Sequence, residues 1–197
     1  MSDPTPHAQD VLDMQRLAGG HDAALNALME RHGQRLFHYL LRQVQSEAEA
    51  NDLAQETFVK VYLNCTKFRA ESKFSTWLYA IATNLVRTHY RWKGRHPEVS
   101  LDAHEEGQQS IGEVLPDTAS SPHEMMIAEE RSEQVRRAIQ ALPEDLRTPL
   151  ILAEYENLSQ AEIAGILNCT RKTVEMRIYH ARQTLRKTLV ELMDVSA

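Results

Sequence analysis

The stretch from Leu158 to Leu189, LSQAEIAGILNCTRKTVEMRIYHARQTLRKTL, limits what this chain can fold into more than any other, because it encodes two helices separated by a tight turn. Ser159, followed three residues later by Glu162, forms a capping box: hydroxyl and carboxylate each satisfy a backbone N–H that a helix start leaves without a partner. That starts a first helix at about Gln160 and carries it to Leu167, with Ile163, Ile166 and Leu167 on one face. Asn168 follows, one of the few non-glycine residues that tolerate the left-handed conformation of a helix stop. Thr170 can cap a second helix, whose apolar positions Val174, Ile178, Ala181, Leu185, Leu189 and Leu192 recur at spacings of three and four.

The rest of that second helix carries Arg171, Lys172, Glu175, Met176, Arg177, Tyr179, His180, Arg182, Arg186 and Lys187, which the spacing sets opposite the apolar stripe. From 171 to 187, six Lys or Arg stand against one acid. A solvated helix face is usually of mixed sign, so this one asks for an anionic partner. A helical hairpin with a basic outer surface is the plainer reading. A recognition helix in the DNA major groove accounts for more, with its N-terminal half on base edges and its Arg and Lys on phosphates.

A length of 197 residues with 42% hydrophobic composition fits one or two domains with real cores. The longest apolar run is only about Pro149 to Ala153, too short for a transmembrane helix. The N-terminal MSDPTPHAQD has neither a basic nor an apolar segment, so no secretory signal is expected and the chain is assigned to the cytoplasm. Cys65 and Cys169 lie far apart without CxxC spacing, and the nine histidines are scattered. Neither a disulfide framework, a metal site nor a cofactor is expected. Net charge is −6, but it is segregated: residues 60–95 hold eight basic side chains and one acid, whereas residues 96–130 hold nine acids and no base. Two basic surfaces divided by an acidic segment point to nucleic acid touched at two places.

Read in order, Val11 to Val44 carries apolar residues at helical spacings interrupted at Gly19-Gly20 and Gly33, which fits two or three short helices. A helix from about Ala48 to Asn64 turns Leu53, Phe58 and Val61 inward and Asn51, Asp52, Gln55 and Glu56 outward. This outward face, with its acids Asp52 and Glu56, is either an ordinary solvated face or a docking surface for a basic protein. The short segment Cys65 to Lys73 contains Phe68, Arg69, Ala70 and Glu71, which read as exposed. A strong helix then runs from about Phe74 to Trp92, with Trp77, Leu78, Ile81 and Leu85 as core and Asn84, Arg87, Thr88 and Arg91 as a polar stripe. Trp77, Tyr79, Tyr90 and Trp92 accompany that stripe, and cations mixed with aromatics suit a single-stranded base; core packing is the simpler use of Trp77. Residues 98 to 123 read as a linker, and helices resume near His123, break at Leu142-Pro143 and restart near Glu144. Val135, Ala138, Ile139 and Leu142 set the first of these, and with the helix-turn-helix they make a four-helix C-terminal domain. No segment shows strand alternation.

With both basic elements placed, the chain resembles bacterial sigma factors of the sigma-70 family, in the extracytoplasmic-function group. The resemblance covers about residues 10 to 192 and rests on four segments in order. They are NDLAQETFVKVY (51–62), FSTWLYAIATNLVRTHYR (74–91), ALPEDLRTPLIL (141–152) and the helix-turn-helix with its YHARQTLRK ending. It implies an all-α chain of two helical domains, residues 10–95 and 124–192, joined by a flexible acidic linker over 96–123. It also implies a non-enzymatic subunit that binds core RNA polymerase, reads the −35 element of promoter DNA with the second domain, and reads and melts the −10 element with the first. In matching positions, Asp52, Gln55 and Glu56 would dock on core polymerase. Asn84 and the loop Phe68, Arg69, Ala70 and Glu71 would hold a flipped base beside Arg87, Thr88 and Arg91. Arg171, Lys172, Glu175, Met176, Arg177, Tyr179, His180, Arg182 and Lys187 would meet the −35 element. An anti-sigma factor is the usual further partner of the group.

Three positions depart from the family pattern. Glu175 and Met176 stand where many members have a basic residue and a serine, so the −35 sequence read here should differ, since a carboxylate accepts from cytosine N4 but repels phosphate. Asn51 replaces a frequent acid, and Asn168 the usual turn glycine. A helix-turn-helix regulator acting without entering polymerase is the alternative from another class, but it needs only one DNA surface. A nuclease would need acids clustered for metal.

Overall fold

The computed structural model describes residues 6–95 and 122–195, with side chains from 7 to 95 and from 130 to 190, and every regular element among them is helical. The expected linker lies outside the described residues except for its last two, which already belong to a helix. The helices are α1 (Pro6–Ala18), α2 (Ala23–Val44), α3 (Glu47–Leu63), α4 (Phe74–Arg95), α5 (Pro122–Gln140), α6 (Glu144–Glu154), α7 (Gln160–Leu167) and α8 (Arg171–Val195), with one 3-10 turn at Cys65–Lys67.

Local chemistry sets most of these boundaries. Gly20 at φ +88° ends α1, a backbone region that side chains with a Cβ avoid. Gly33 interrupts nothing: α2 runs through it, and the region expected to hold two or three short helices holds one short and one long. A single glycine costs a helix only about 1 kcal/mol, and the Leu28, Leu36, Tyr39 and Leu40 face buried by α2 outweighs it. Ser46 caps α3 by accepting from the Glu49 N–H at 3.3 Å. Asn168, at φ 50° and ψ 51°, closes α7 in the left-handed conformation expected of it. Thr170 accepts the Thr173 N–H at 3.1 Å to start α8.

The four helices of each half share an apolar interior, centred on Leu28, Tyr39, Phe74 and Leu78 in the first and on Ile151, Leu152, Ile163 and Val174 in the second. Val135, expected inside, lies on the outer side of α5. The halves also pack on each other, with α4 along α7 and α2 along α5 and α6. At this junction Glu156, only 5% exposed, accepts the Tyr79 hydroxyl and lies 3.4 Å from Arg35. Burial and the neighbouring carboxylate push the Tyr79 hydroxyl up. Lys73 pairs with Glu162 at 2.9 Å, and the Arg147 guanidinium lies over the Tyr90 ring at 5.4 Å.

Candidate nucleic-acid interface

On α8 the core residues Val174, Ile178 and Ala181 fix which way the helix faces. At 100° per residue, Arg171, Glu175, Tyr179, Arg182 and Arg186 fall on the flank toward the start of α7. Met176 and Lys187 point straight away from the core, and Arg177 and His180 lie on the far flank. The residues expected to face DNA as one surface therefore wrap two flanks. The near flank is the more organised. Arg171 Nε donates to Gln160 Oε1 at 3.3 Å, tying the first residue of α8 to the first of α7. Arg182 Nε donates to Glu154 Oε1 at 3.1 Å, so this guanidinium already has a carboxylate partner. The Tyr179 hydroxyl accepts from Gln183 at 2.7 Å. Lys172, Arg186 and Lys187 are exposed, as are Glu175 and Met176.

On α4 the outer stripe is linked lengthwise. Arg91 Nη2 donates to Thr88 Oγ1 at 3.2 Å, and Thr88 Oγ1 donates to the Asn84 backbone carbonyl at 2.9 Å. The Asn84 amide has no side-chain partner among the described residues and is exposed. Arg87 is half-buried and pairs with Glu144 of the other half at 3.3 Å. The aromatics divide differently from the sequence expectation. Tyr79 is buried against Glu156, and Tyr90 donates to the Gln43 backbone carbonyl beneath Arg147, so neither ring is presented for stacking. Trp92 is exposed. Phe68, which reads as exposed in the sequence, is half-buried, with its ring 5.5 Å from Trp77 and 6.1 Å from Phe74. It anchors the loop, while Arg69, Ala70 and Glu71 stay exposed, with Ser72 Oγ donating to the Arg69 carbonyl at 3.0 Å.

The third surface lies on α3. Asp52, Gln55 and Glu56 are exposed on one stripe, with Glu56 3.3 Å from Lys60. The stripe continues through Val59 and Leu63, both open to solvent, so the acidic face passes into an apolar one. The sequence reading passed over both residues, although the spacings of Val59, three from Glu56 and seven from Asp52, and of Leu63, seven from Glu56, were available to it. It also passed over Glu144, Glu154 and Gln160, which hold Arg87, Arg182 and Arg171; these partners are 57, 28 and 11 residues away, and no local pattern connects them. Among the described residues there is no group of His, Cys, Asp or Glu that could hold a metal ion, and no helix long and apolar enough to cross a membrane.

Residues 28–96 match the family model for sigma-70 region 2, and residues 132–185 match that for sigma-70, region 4. The chain is 36% identical to the RNA polymerase sigma-H factor of Pseudomonas aeruginosa over 94% of its own length and 96% of that protein's. It is 37% identical to the ECF RNA polymerase sigma-E factor of Escherichia coli strain K12, over 89% of its length and 92% of that protein's. Among solved structures, CnrH in complex with the cytosolic domain of CnrY superposes with a TM-score of 0.66 at 23% identity, covering 96% of this chain and 99% of that one. The sigma factor RpoE from Bartonella quintana, in complex with the anti-sigma factor NepR, superposes at 0.63 with 22% identity over 83% of this chain and 95% of that one. Both likenesses are of fold.

Proposed function

This chain belongs to the sigma-70 family of RNA polymerase sigma factors, in its extracytoplasmic-function group, and from that membership we propose how its three surfaces divide the work of starting transcription. The outer stripe of α3, with Asp52, Gln55 and Glu56, docks on core RNA polymerase. The α4 stripe and the Phe68 loop take the −10 element: Asn84 and the loop hold an extruded base, and Arg87, Thr88 and Arg91 position the strand. The pocket given to that base offsets the few kcal/mol that unstacking costs. The α8 helix reads the −35 element, with Lys172, Arg186 and Lys187 on phosphates. Residues 10–95 and 124–192 act as separate domains, and 96–123 joins them. The protein performs no chemistry of its own on DNA and works in the cytoplasm, where its polymerase is. An anti-sigma factor is its expected further partner; the RpoE of Bartonella quintana was solved in complex with one.

The observation that carries this reading is the presence of two distinct basic faces, on α4 and α8, on two halves that match regions 2 and 4 in that order. A helix-turn-helix regulator working outside polymerase would leave the region 2 half without a use. Reconstitution tests it. Core polymerase should be captured by the wild-type chain and should then give run-off transcripts from a cognate promoter. Asp52→Arg with Glu56→Arg should keep a native circular-dichroism spectrum, since exposed substitutions change stability by only about 0.5 kcal/mol, and should lose most of the capture. Undiminished capture by the folded double variant would reject the α3 docking surface.

A further inference from the structure

Beside the basic residues of α8 lies an open hollow lined by Gln160, Glu175, Met176, Ile178, Tyr179 and Arg182. It is bounded on one side by the start of α7 and on the other by α8, the arrangement that faces the major groove if α8 is the reading helix. Its composition does not suit a phosphate. Glu175 would repel one, and Arg182, the nearest cation, is already bonded to Glu154. Met176 and Tyr179 are 45% and 54% exposed there, large apolar groups left to solvent beside the exposed Glu175 and Arg182. The Tyr179 ring is held along the helix by the bond from Gln183.

We propose that this hollow receives the C5-methyl group of a thymine in the −35 element, next to a base that offers an exocyclic amino group to Glu175. The assignment rests on α8 reading the −35 element, as above, and adds what it reads. Of the four bases only thymine presents an apolar group in the major groove; the purines present polar N7 edges there, and cytosine lacks the methyl. Methionine adapts its unbranched side chain and polarizable sulfur to such a group. The amino group next to it belongs to cytosine N4 or adenine N6, the two donors that the major groove offers a carboxylate. Glu175 and Met176, the departures from the family pattern on this helix, thus act together as the specificity-determining pair, and Tyr179 completes the apolar wall.

Holoenzyme assembled from core polymerase and this chain is first used to select −35 sequences from a randomised duplex library. Each thymine in the selected element is then replaced by deoxyuridine, which removes the methyl and keeps the hydrogen-bonding edge. At one thymine the wild type should lose about fourfold in affinity, the worth of one buried carbon-sized apolar group. That loss should vanish with Met176→Ser or Tyr179→Ser, both at exposed positions that leave the fold intact. With Lys172→Ala it should persist on a weaker overall affinity. Indifference of the wild type to deoxyuridine at every thymine would overturn the hollow's role, as would an unchanged deoxyuridine effect in both serine variants. A library that returns no −35 preference at all would instead reject α8 as the reading helix.

Discussion

Asn84 is the residue on which the −10 assignment turns. Its amide can donate to and accept from a base edge at once, whereas Arg91 on the same stripe only donates and suits phosphate. Asn84→Ala should therefore lose discrimination at one −10 base while a promoter pre-opened by mismatch regains much of its activity. Arg91→Ala should weaken every −10 sequence alike and lower the salt dependence of binding by roughly one phosphate contact. Permanganate footprinting checks the pair: open-complex reactivity that is normal for Asn84→Ala, with unchanged −10 preference, would remove the base-holding role. At this scale the sequence was legible where a residue acts on its own neighbours. Ser159, Glu162, Asn168 and Thr170 do what their spacing says, because caps and left-handed stops are local. Arg87 was read on a basic stripe with Tyr79 and Tyr90 beside it, and Phe68 as exposed in the loop before it, yet Tyr79, Tyr90 and Arg87 are each bonded by a residue far away in the chain and Phe68 is drawn inward against Trp77. Helical periodicity shows which face a side chain is on, and it carries no information about what later packs against that face.

At the scale of the element, α7 owes its sharp start to a box that also ties the two halves together. Glu162 accepts from the Ser159 N–H at 2.8 Å and the Ser159 hydroxyl at 2.7 Å, and it pairs with Lys73 of the loop before α4. Partial burial raises its pKa, but the bonds from Ser159 and Lys73 outweigh that and bring it down to about 2, from an ordinary value of 4.5. The stability its charge contributes is therefore fully present above pH 4.5 and is lost as the pH falls toward 2. Glu162→Gln keeps an oxygen for the Ser159 N–H and removes the charge. It should be less stable than wild type at neutral pH by about 1 kcal/mol, with a gap that closes in acid, as measured by urea unfolding across that range. A gap independent of pH would show that the charge is immaterial. The number and order of helices from α3 onward followed from apolar spacing, whereas the uninterrupted α2 did not, because Gly33 signals a break that burial overrides.

For the whole molecule, the two proposed DNA surfaces are held together across a junction of buried polar and aromatic contacts. Among the described residues, Gln43 Oε1 accepts there from Thr148, and the Arg147 guanidinium lies over Tyr90. A compact chain of this length has a radius of gyration of roughly 16 Å. Elements centred at −35 and −10 lie about 85 Å apart at ~3.4 Å per base pair, so both cannot be read from the closed arrangement. Residues 96–121 can span at most about 90 Å when extended, which is enough to join the halves after they part. None of this junction was legible in the sequence, since it depends on contacts such as Tyr79 with Glu156 that are 77 residues apart. On the proposed function, one chain opens on polymerase and engages two promoter elements together. Photoreactive side chains placed at the exposed positions Lys172 and Thr88, in holoenzyme bound to one selected promoter, test it most directly. Crosslinks are expected from position 172 near −35 and from position 88 to the non-template strand near −10, both in the same complex. Crosslinks from both positions within a single helical turn of DNA would contradict it.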